Sequence, residues 1–268
     1  MVAIMGILNA TPDSFANGGV AATTAHGLAM IEAGADMLDI GGESTRPGAS
    51  VIAPGEEQAR VLPLIRALAG QGVPICVDTR NASTMAAALD AGASMVNDVS
   101  GLTHDPAAAG LVAARGCRVV LMHMRGTPQT MTRQTAYTDV VAEVLSELRD
   151  RIAEAERAGV ARARIIADPG IGFAKTAPQS LALLRRLREF GVLGLPIVVG
   201  VSRKSFIGTV AGEPDPSRRV PGSIAAALFA ASQGAAILRV HDVAETRQAL
   251  RLWQALHESP TTSLDPAM

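Results

Sequence analysis

Aromatic residues are scarce. They make up 3% of the 268 residues, so a core here has to be built from aliphatic side chains. Hydrophobic residues of all kinds reach 48%, enough for a large one. A core of that composition suits parallel strands buried on both faces. Cysteine is almost missing too. Cys76 and Cys117 stand far apart in the apolar runs VPICVD and GCRVVLMH. With no metal spacing between them, they read as buried reduced thiols. Blocks of like charge are also lacking, and the net charge is −1. No electrostatic footprint for DNA or RNA results. The short basic cluster of Arg185, Arg186 and Arg188 reads as a solvated helix face.

No targeting signal is expected either. The opening MVAIMGILNA lacks the basic n-region of a secretory signal, so a cytoplasmic protein is expected. Residues 220–238 carry no charge and have the length of a membrane span. Pro221, Gly222, Ser223, Ser232, Gln233 and Gly234 interrupt them, which favours a short helix, a glycine stop and a strand. No Walker loop, no GxGxxG after a strand and no GxSxG occurs, and no His/Cys/Asp cluster resembles a zinc site.

What is present is a repeat of short β-rich runs, each followed by a longer Ala/Leu/Arg/Glu-rich segment. The runs fall at 3–9, 36–41, 74–78, 94–98, 118–123, 164–168, 196–201 and 235–241. The helical segments fall at 23–33, 55–69, 82–91, 105–115, 138–158, 177–190, 222–232 and 243–257. Gly34, Gly92, Gly116, Gly159, Gly191 and Gly234 stand where helices should stop, since glycine reaches the left-handed conformation that closes them. Eight βα units in a chain of this length predict a single-domain α/β protein, a closed (β/α)8 TIM barrel over residues 1–258. A doubly wound open sheet is the alternative. Residues 259–268 show no periodicity and read as a disordered tail.

Polar and ionisable residues gather at the C-terminal ends of the expected strands. They include Asn9, the GGESTRPG segment, Asp78, Thr79 and Arg80, Asn97 and Asp98, His123, Asp168, Ser202, Arg203 and Lys204, then Arg239 and His241. In a barrel these ends converge on the face where chemistry takes place. Each residue alone has a plainer reading. Asn9 can shape a turn, Asp78 and Asn97 can cap helices, and Asp168 can start a turn before Pro-Gly. Lys204 can be exposed, and His123 is taken as structural. Jointly they favour an enzyme. Asp78 and Asp168 can hold the N–H edge of a heterocycle. Lys204, Arg239, His241 and Asn9 can surround an anionic leaving group. The residues alone thus point to a phosphorylated, nitrogen-rich small molecule.

The segments GILNATPDSF, GGESTRPGA, DT at 78–79, NDVSG, LMHMRGTPQTM, DPGIGF, VSRKSFIG and RVHDV resemble those of the dihydropteroate synthases, in order from Gly6 to Val243. Ala10 and the pair Ala16–Asn17 depart from the family's usual Val and Ser-Asp. The resemblance implies a transferase that joins a pterin diphosphate to p-aminobenzoate, works with Mg²⁺ and forms a homodimer through barrel helices. It implies that Asp78, Lys204 and Arg239 are catalytic. Asp78, Asn97, Met122, Asp168, Phe173, Gly200, Lys204 and Arg239 would hold the pterin. Asn9, Arg239 and His241 would hold pyrophosphate, with Asn9 also ligating the metal. Phe15, Thr45, Arg46, Pro47, Lys204 and Ser205 would form the p-aminobenzoate side, where sulfonamides would compete. Two rivals share the pterin pocket: a methyltransferase domain that needs a corrinoid partner, and a barrel that binds pterin without turnover. The SRKS, TPDSF and STRPG segments favour the synthase.

Overall fold

The computed structural model describes residues 2–10, 19–45 and 48–257. The segment at 11–18, Arg46, Pro47 and the tail from 258 onward lie outside the described residues. Strand and helix alternate as the apolar runs require. The strands are β1 (Ala3–Asn9), β2 (Met37–Gly41), β3 (Ile75–Asp78), β4 (Met95–Asp98), β5 (Arg118–Met122), β6 (Ile165–Asp168), β7 (Val198–Gly200) and β8 (Ile237–Val240). The helices are α1 (Gly19–Glu32), α2 (Pro54–Leu68), α3 (Ala82–Asp90), α4 (Ala108–Arg115), α5 (Val140–Arg157), α6 (Ala177–Arg185), α7 (Ser205–Ala211), α8 (Val220–Ser232) and α9 (Val243–His257).

All the strand pairs are parallel, in the order β6-β5-β4-β3-β2-β1-β8-β7. A parallel bridge from Ala167 to Ile197 joins the two ends of that order and closes the barrel. The open-sheet alternative is thereby excluded. Side chains alternate across each strand, and the two faces meet different neighbours. Outward residues such as Leu38, Ile40, Val77, Val96, Val119 and Leu121 join the large core beneath the helices. Inward residues form a separate plug with one member per strand: Met5, Met37, Cys76, Met95, Val120, Ile166, Val198 and Ile237. Cys76 is part of that plug, and both cysteines are free and buried.

Local chemistry sets the helix limits. Asp139 caps α5 by accepting from the Val141 and Ala142 N–H groups, and Val140, Val144, Leu148, Ile152 and Ala155 give it a buried stripe. Thr176 and Gln179 make a reciprocal capping box at α6. Gly34, Gly92, Gly116, Gly159 and Gly234 all have positive φ, as helix stops should. Gly191 does not serve. The sixth helix ends early at Arg185, a 3-10 segment follows over Leu187–Leu193, and Gly194 closes it in the left-handed conformation. The fourth helix starts later than expected, because Asp105 is used as a turn residue. Its carboxylate accepts from Ala107 N and reaches across to Ala82 N, the first residue of α3. Helix α7 was not expected at all. Its seven residues, SFIGTVA, combine a glycine with β-branched side chains, a poor helical signal. Burial of Phe206 and Ile207 supplies the missing stability. Among the described residues no helix is long and apolar enough to cross a membrane, and 220–238 is α8, Gly234 and part of β8.

Candidate active site

A strand repeats its facing every two residues, so the residue two steps past each member of the apolar plug also points inward. Those residues are Ile7, Asp39, Asp78, Asn97, Met122, Asp168, Gly200 and Arg239. One register step therefore turns the barrel interior from grease to chemistry. Asp78, Asn97, Met122, Asp168, Gly200 and Arg239 line a slot together with Thr45, Val99, Phe173 and Lys204. All eight residues expected around a pterin lie here. Asn9 and His241 do not. They line an adjoining cavity of about 530 Å³ with Arg203 and Asp242. Ser205 is exposed at the start of α7. Phe15, Arg46 and Pro47 fall outside the described residues, so of the p-aminobenzoate side only Thr45, Lys204 and Ser205 are placed.

Asp39 is the residue that the strand-end reading passed over. It lies inside β2, fully buried. Its Oδ2 accepts from Arg239 Nε at 2.6 Å and from Asn97 Nδ2 at 2.9 Å. Arg239 Nη2 also donates to Asp78 Oδ2 at 2.7 Å. One guanidinium thus joins three strands across the barrel floor. Burial works against the Arg239 charge, but Asp39 and Asp78 more than restore it. Burial pushes the Asp78 carboxyl well above the usual carboxylate range, opposed by Arg239 and reinforced by Asp39. The alternation signal was available in the sequence: Met37, Asp39 and Gly41 share one face.

Lys204 enters from the loop after β7. Burial pushes its ammonium down to about 8, while Asp168 pulls the other way. It donates to the Ile171 carbonyl and lies 4.6 Å over the Phe173 ring. Asp168 is raised by burial, with Lys204 opposing. Its Oδ1 accepts from Gly170 N at 2.7 Å. The segments that follow β7 and β8 are braced separately. Ser202 Oγ sits 3.0 Å from His241 Nδ1, and Arg203 forms a forked ion pair with Asp242. Arg203 has φ +59, and its N–H donates to Ser223 Oγ at 2.8 Å. This ties the ends of β7 and β8 together, the position where such barrels commonly take a phosphate.

Other rim residues turn out to be structural. Asp98 faces away and builds a turn by accepting from Ser100 and Leu102 N–H groups. Thr79 donates to Glu57 in a buried pair. Arg80 grips Glu43 through two hydrogen bonds of 3.0 Å and so fixes the loop that carries Thr45. His123, taken as structural, is buried between Glu147 and Lys175.

Gly170 marks how tightly this rim is built. It has φ +66, and a Cβ there would stand 2.0 Å from the His123 carbonyl oxygen. That carbonyl belongs to the residue whose N–H donates to Asp168 O at 2.9 Å. Gly170→Ala is expected to cost about 2–4 kcal/mol of stability, from the left-handed backbone plus the overlap. A denaturant midpoint equal to that of the unsubstituted protein would contradict this.

A family model described as pterin binding enzyme matches residues 5–241. A dihydropteroate synthase of Neisseria meningitidis serogroup B is 47% identical over 262 residues, covering 94% of this chain and 92% of the relative. The solved dihydropteroate synthase of Xanthomonas albilineans with 4-aminobenzoic acid superimposes with a TM-score of 0.92 at 48% identity, covering 97% and 94% of the two chains. The same enzyme in complex with 7,8-dihydropteroate gives 0.88 at 45% identity, covering 97% and 95%. The chain belongs to the pterin-binding enzymes and, among them, to the dihydropteroate synthase family.

Proposed function

We propose that this chain condenses 6-hydroxymethyl-7,8-dihydropterin diphosphate with p-aminobenzoate, giving 7,8-dihydropteroate and pyrophosphate in folate biosynthesis, and that the inward layer from Asp78 to Arg239 holds the pterin. The observation that carries the reading is the convergence of two carboxylates, Asp78 and the buried Asp168, with two cations, Lys204 and Arg239, around one slot. Asp168 and Asp78 accept from the N–H edge of the heterocycle, and Asn97 offers its amide beside them. Met122 and Phe173 cover the ring faces. With Lys204 folded over Phe173 the slot keeps only about 20 Å³ of free space, so a ring enters as Lys204 lifts away.

The pterin methylene carries the diphosphate. Its C–O bond breaks with the electron pair going to the leaving group. The positive charge that remains spreads into the ring, next to Asp78 and Asp168. The aniline nitrogen of p-aminobenzoate then forms the new C–N bond with its lone pair and passes one proton to the released diphosphate or to water. An arylamine needs no strong base against so reactive an electrophile. Arg239 and Lys204 stabilise the departing charge from the slot, and His241, oriented by Ser202, does so from the adjoining cavity. Thr45, Lys204 and Ser205 are the described residues assigned to the p-aminobenzoate side, where sulfonamides compete; Phe15, Arg46 and Pro47, assigned to the same side, lie outside the described residues.

Mg²⁺ suits this donor set. Asn9 is exposed at the end of β1, its amide oxygen is a hard ligand, and it lines the same cavity as His241. Among the described residues no group of three His, Cys, Asp or Glu side chains could hold a metal. A lone amide beside a diphosphate cavity fits an ion that takes its other oxygens from substrate and water. When bound, Mg²⁺ neutralises charge on the departing diphosphate. Excess EDTA should abolish turnover, and Asn9→Ala should lower kcat about tenfold or more while leaving the affinity for a pterin without phosphate unchanged. Full activity in EDTA would remove the metal from the mechanism.

The working form we propose is a cytoplasmic homodimer. Phe229 on α8 and Leu252 and Leu256 on α9 leave apolar surface on the outside of the barrel, in keeping with association through helices. Sedimentation of a species of one-chain mass would rule the dimer out. The decisive assay supplies both substrates and follows pyrophosphate. A binding barrel would release none. A methyltransferase would need a corrinoid protein and would not consume p-aminobenzoate.

A further inference from the structure

Behind the slot lies a chain of hydrogen-bonded polar groups that the reaction does not use. Lys175 is 8% exposed, an uncommon place for a lysine, and it lines no part of the slot. Its Nζ donates to the Phe173 carbonyl at 2.8 Å and to His123 Nδ1 at 3.0 Å, and it lies 3.4 Å from the His123 carbonyl. Because Nδ1 accepts, the His123 proton sits on Nε2, which donates to Glu147 Oε2 at 2.9 Å. Arg125 grips that same Glu147, bonds Glu143 at 2.8 Å and stacks 3.9 Å over Tyr137. The chain therefore runs from α5 at the surface to the back of the slot.

The backbone in front of Lys175 needs this anchor. Ala174, between Phe173 and Lys175, has φ +50, a conformation that a residue with a Cβ rarely adopts. Seven residues before Lys175 stands Asp168, and Gly170 between them is pressed on the His123 carbonyl. Both ends of this turn, Asp168 and Phe173, line the slot.

We propose that Lys175 is a positioning residue for the slot: from behind, its ammonium clamps the Phe173 carbonyl to the His123 ring and so fixes the turn from Asp168 to Phe173 against β5. The proposal rests on the reading of the slot as the pterin site. Burial pushes the Lys175 ammonium down to about 7 and Asp168 opposes that shift, while Lys204, Arg239 and Lys175 favour the ionised Asp168 against its own burial. Glu147 also supports the Lys175 charge, Arg125 and Lys204 oppose it, and Arg151 faces His123. Burial, followed by the Lys175 charge, pushes His123 down to about 3, so its ring stays neutral and remains an acceptor near neutral pH.

The test is calorimetry of 7,8-dihydropterin with the wild-type protein, Lys175→Met and Lys175→Arg, alongside KM for each substrate. Lys175→Met should weaken the pterin roughly 10–100-fold, the cost of a slightly misplaced binding group, with KM for p-aminobenzoate within about twofold. Its acid limb of pterin binding should move to higher pH. Without the neighbouring cation Asp168 takes up a proton sooner as pH falls. Lys175→Arg should return that limb towards the wild-type position. A role in folding alone would lower the melting temperature and leave the limb in place. A folded Lys175→Met that binds pterin within about twofold of wild type, or that raises both KM values equally, overturns the proposal. If Lys175→Met does not fold, Glu147→Gln decides: a pterin-specific loss of about threefold supports the chain, and unchanged pterin affinity overturns it. Wild-type protein that binds no dihydropterin would instead overturn the reading of the slot itself.

Discussion

Replacing Arg239 by methionine is expected to lower kcat/KM by about 10²–10³ and the stability of the fold by about 3–5 kcal/mol. The two losses have different origins. The stability loss comes from what Arg239 leaves behind. Asp39 is fully buried, and its second oxygen, Oδ1, already has no hydrogen-bond partner. Without the guanidinium it would share the barrel floor with Asp78 and keep only the Asn97 amide. Asp78, already raised by burial and no longer held down by Arg239, would take up a proton more readily, so the damage should ease as pH falls. The activity loss has a separate cause, the missing charge beside the leaving group. Two further variants separate them. Arg239→Met with Asp39→Asn should regain most of the stability and none of the activity. Arg239→Lys should keep much of the stability but lose most turnover, because an ammonium is not a two-armed fork that can hold Asp39 and Asp78 at once. Thermal melts and pyrophosphate release measured on the same samples check both claims. A double variant as unstable as the single one would show that the floor is not held by this pair.

The strand-end rule brings most of the slot together from sequence, and it does so for a physical reason. Parallel strands in a barrel all point one way, so the residues after each apolar run reach a common rim. Asp78, Asn97, Asp168, Lys204 and Arg239 were legible on that ground. Asp39 was not, because it sits mid-strand and only the two-residue alternation from Met37 reveals its facing. His123 looked isolated because its partners, Glu147 and Lys175, lie 24 and 52 residues away. Separations of that kind leave no local pattern. Helix α7 was hidden by poor intrinsic propensity that tertiary burial overrides. Conversely, Thr79, Arg80 and Asp98 are rim residues by sequence, yet the structure spends them on Glu57, Glu43 and a tight turn. Type and position bring a residue to the rim. Which way it faces depends on the register.

The Asp168→Asn variant is expected to lose pterin affinity by about 2–5 kcal/mol, which is well over tenfold, with little change in the affinity for pyrophosphate. The substitution keeps size and shape. It replaces an acceptor-only carboxylate with an amide that has one acceptor and one donor. The oxygen bound to the Gly170 N–H can still be supplied, so the turn should survive. What fails is the other position, where an –NH₂ would face the N–H edge of the ring. The pH dependence carries a second signature. Burial raises the Asp168 carboxyl above its usual value, with Lys204 holding it down. Only the ionised form accepts from the ring, so wild-type affinity falls as pH drops through that raised value. Two N–H bonds from the ligand favour the ionised form, so binding at a pH where the free site is partly protonated should release protons. Calorimetry in buffers of different ionisation enthalpy counts them. In Asp168→Asn the contribution of this carboxyl should disappear and the acid limb should flatten. If the variant binds dihydropterin as tightly as wild type, Asp168 does not hold the ring. If the affinity falls while the acid limb stays unchanged, another group, with the raised Asp78 the first candidate, sets the pH response.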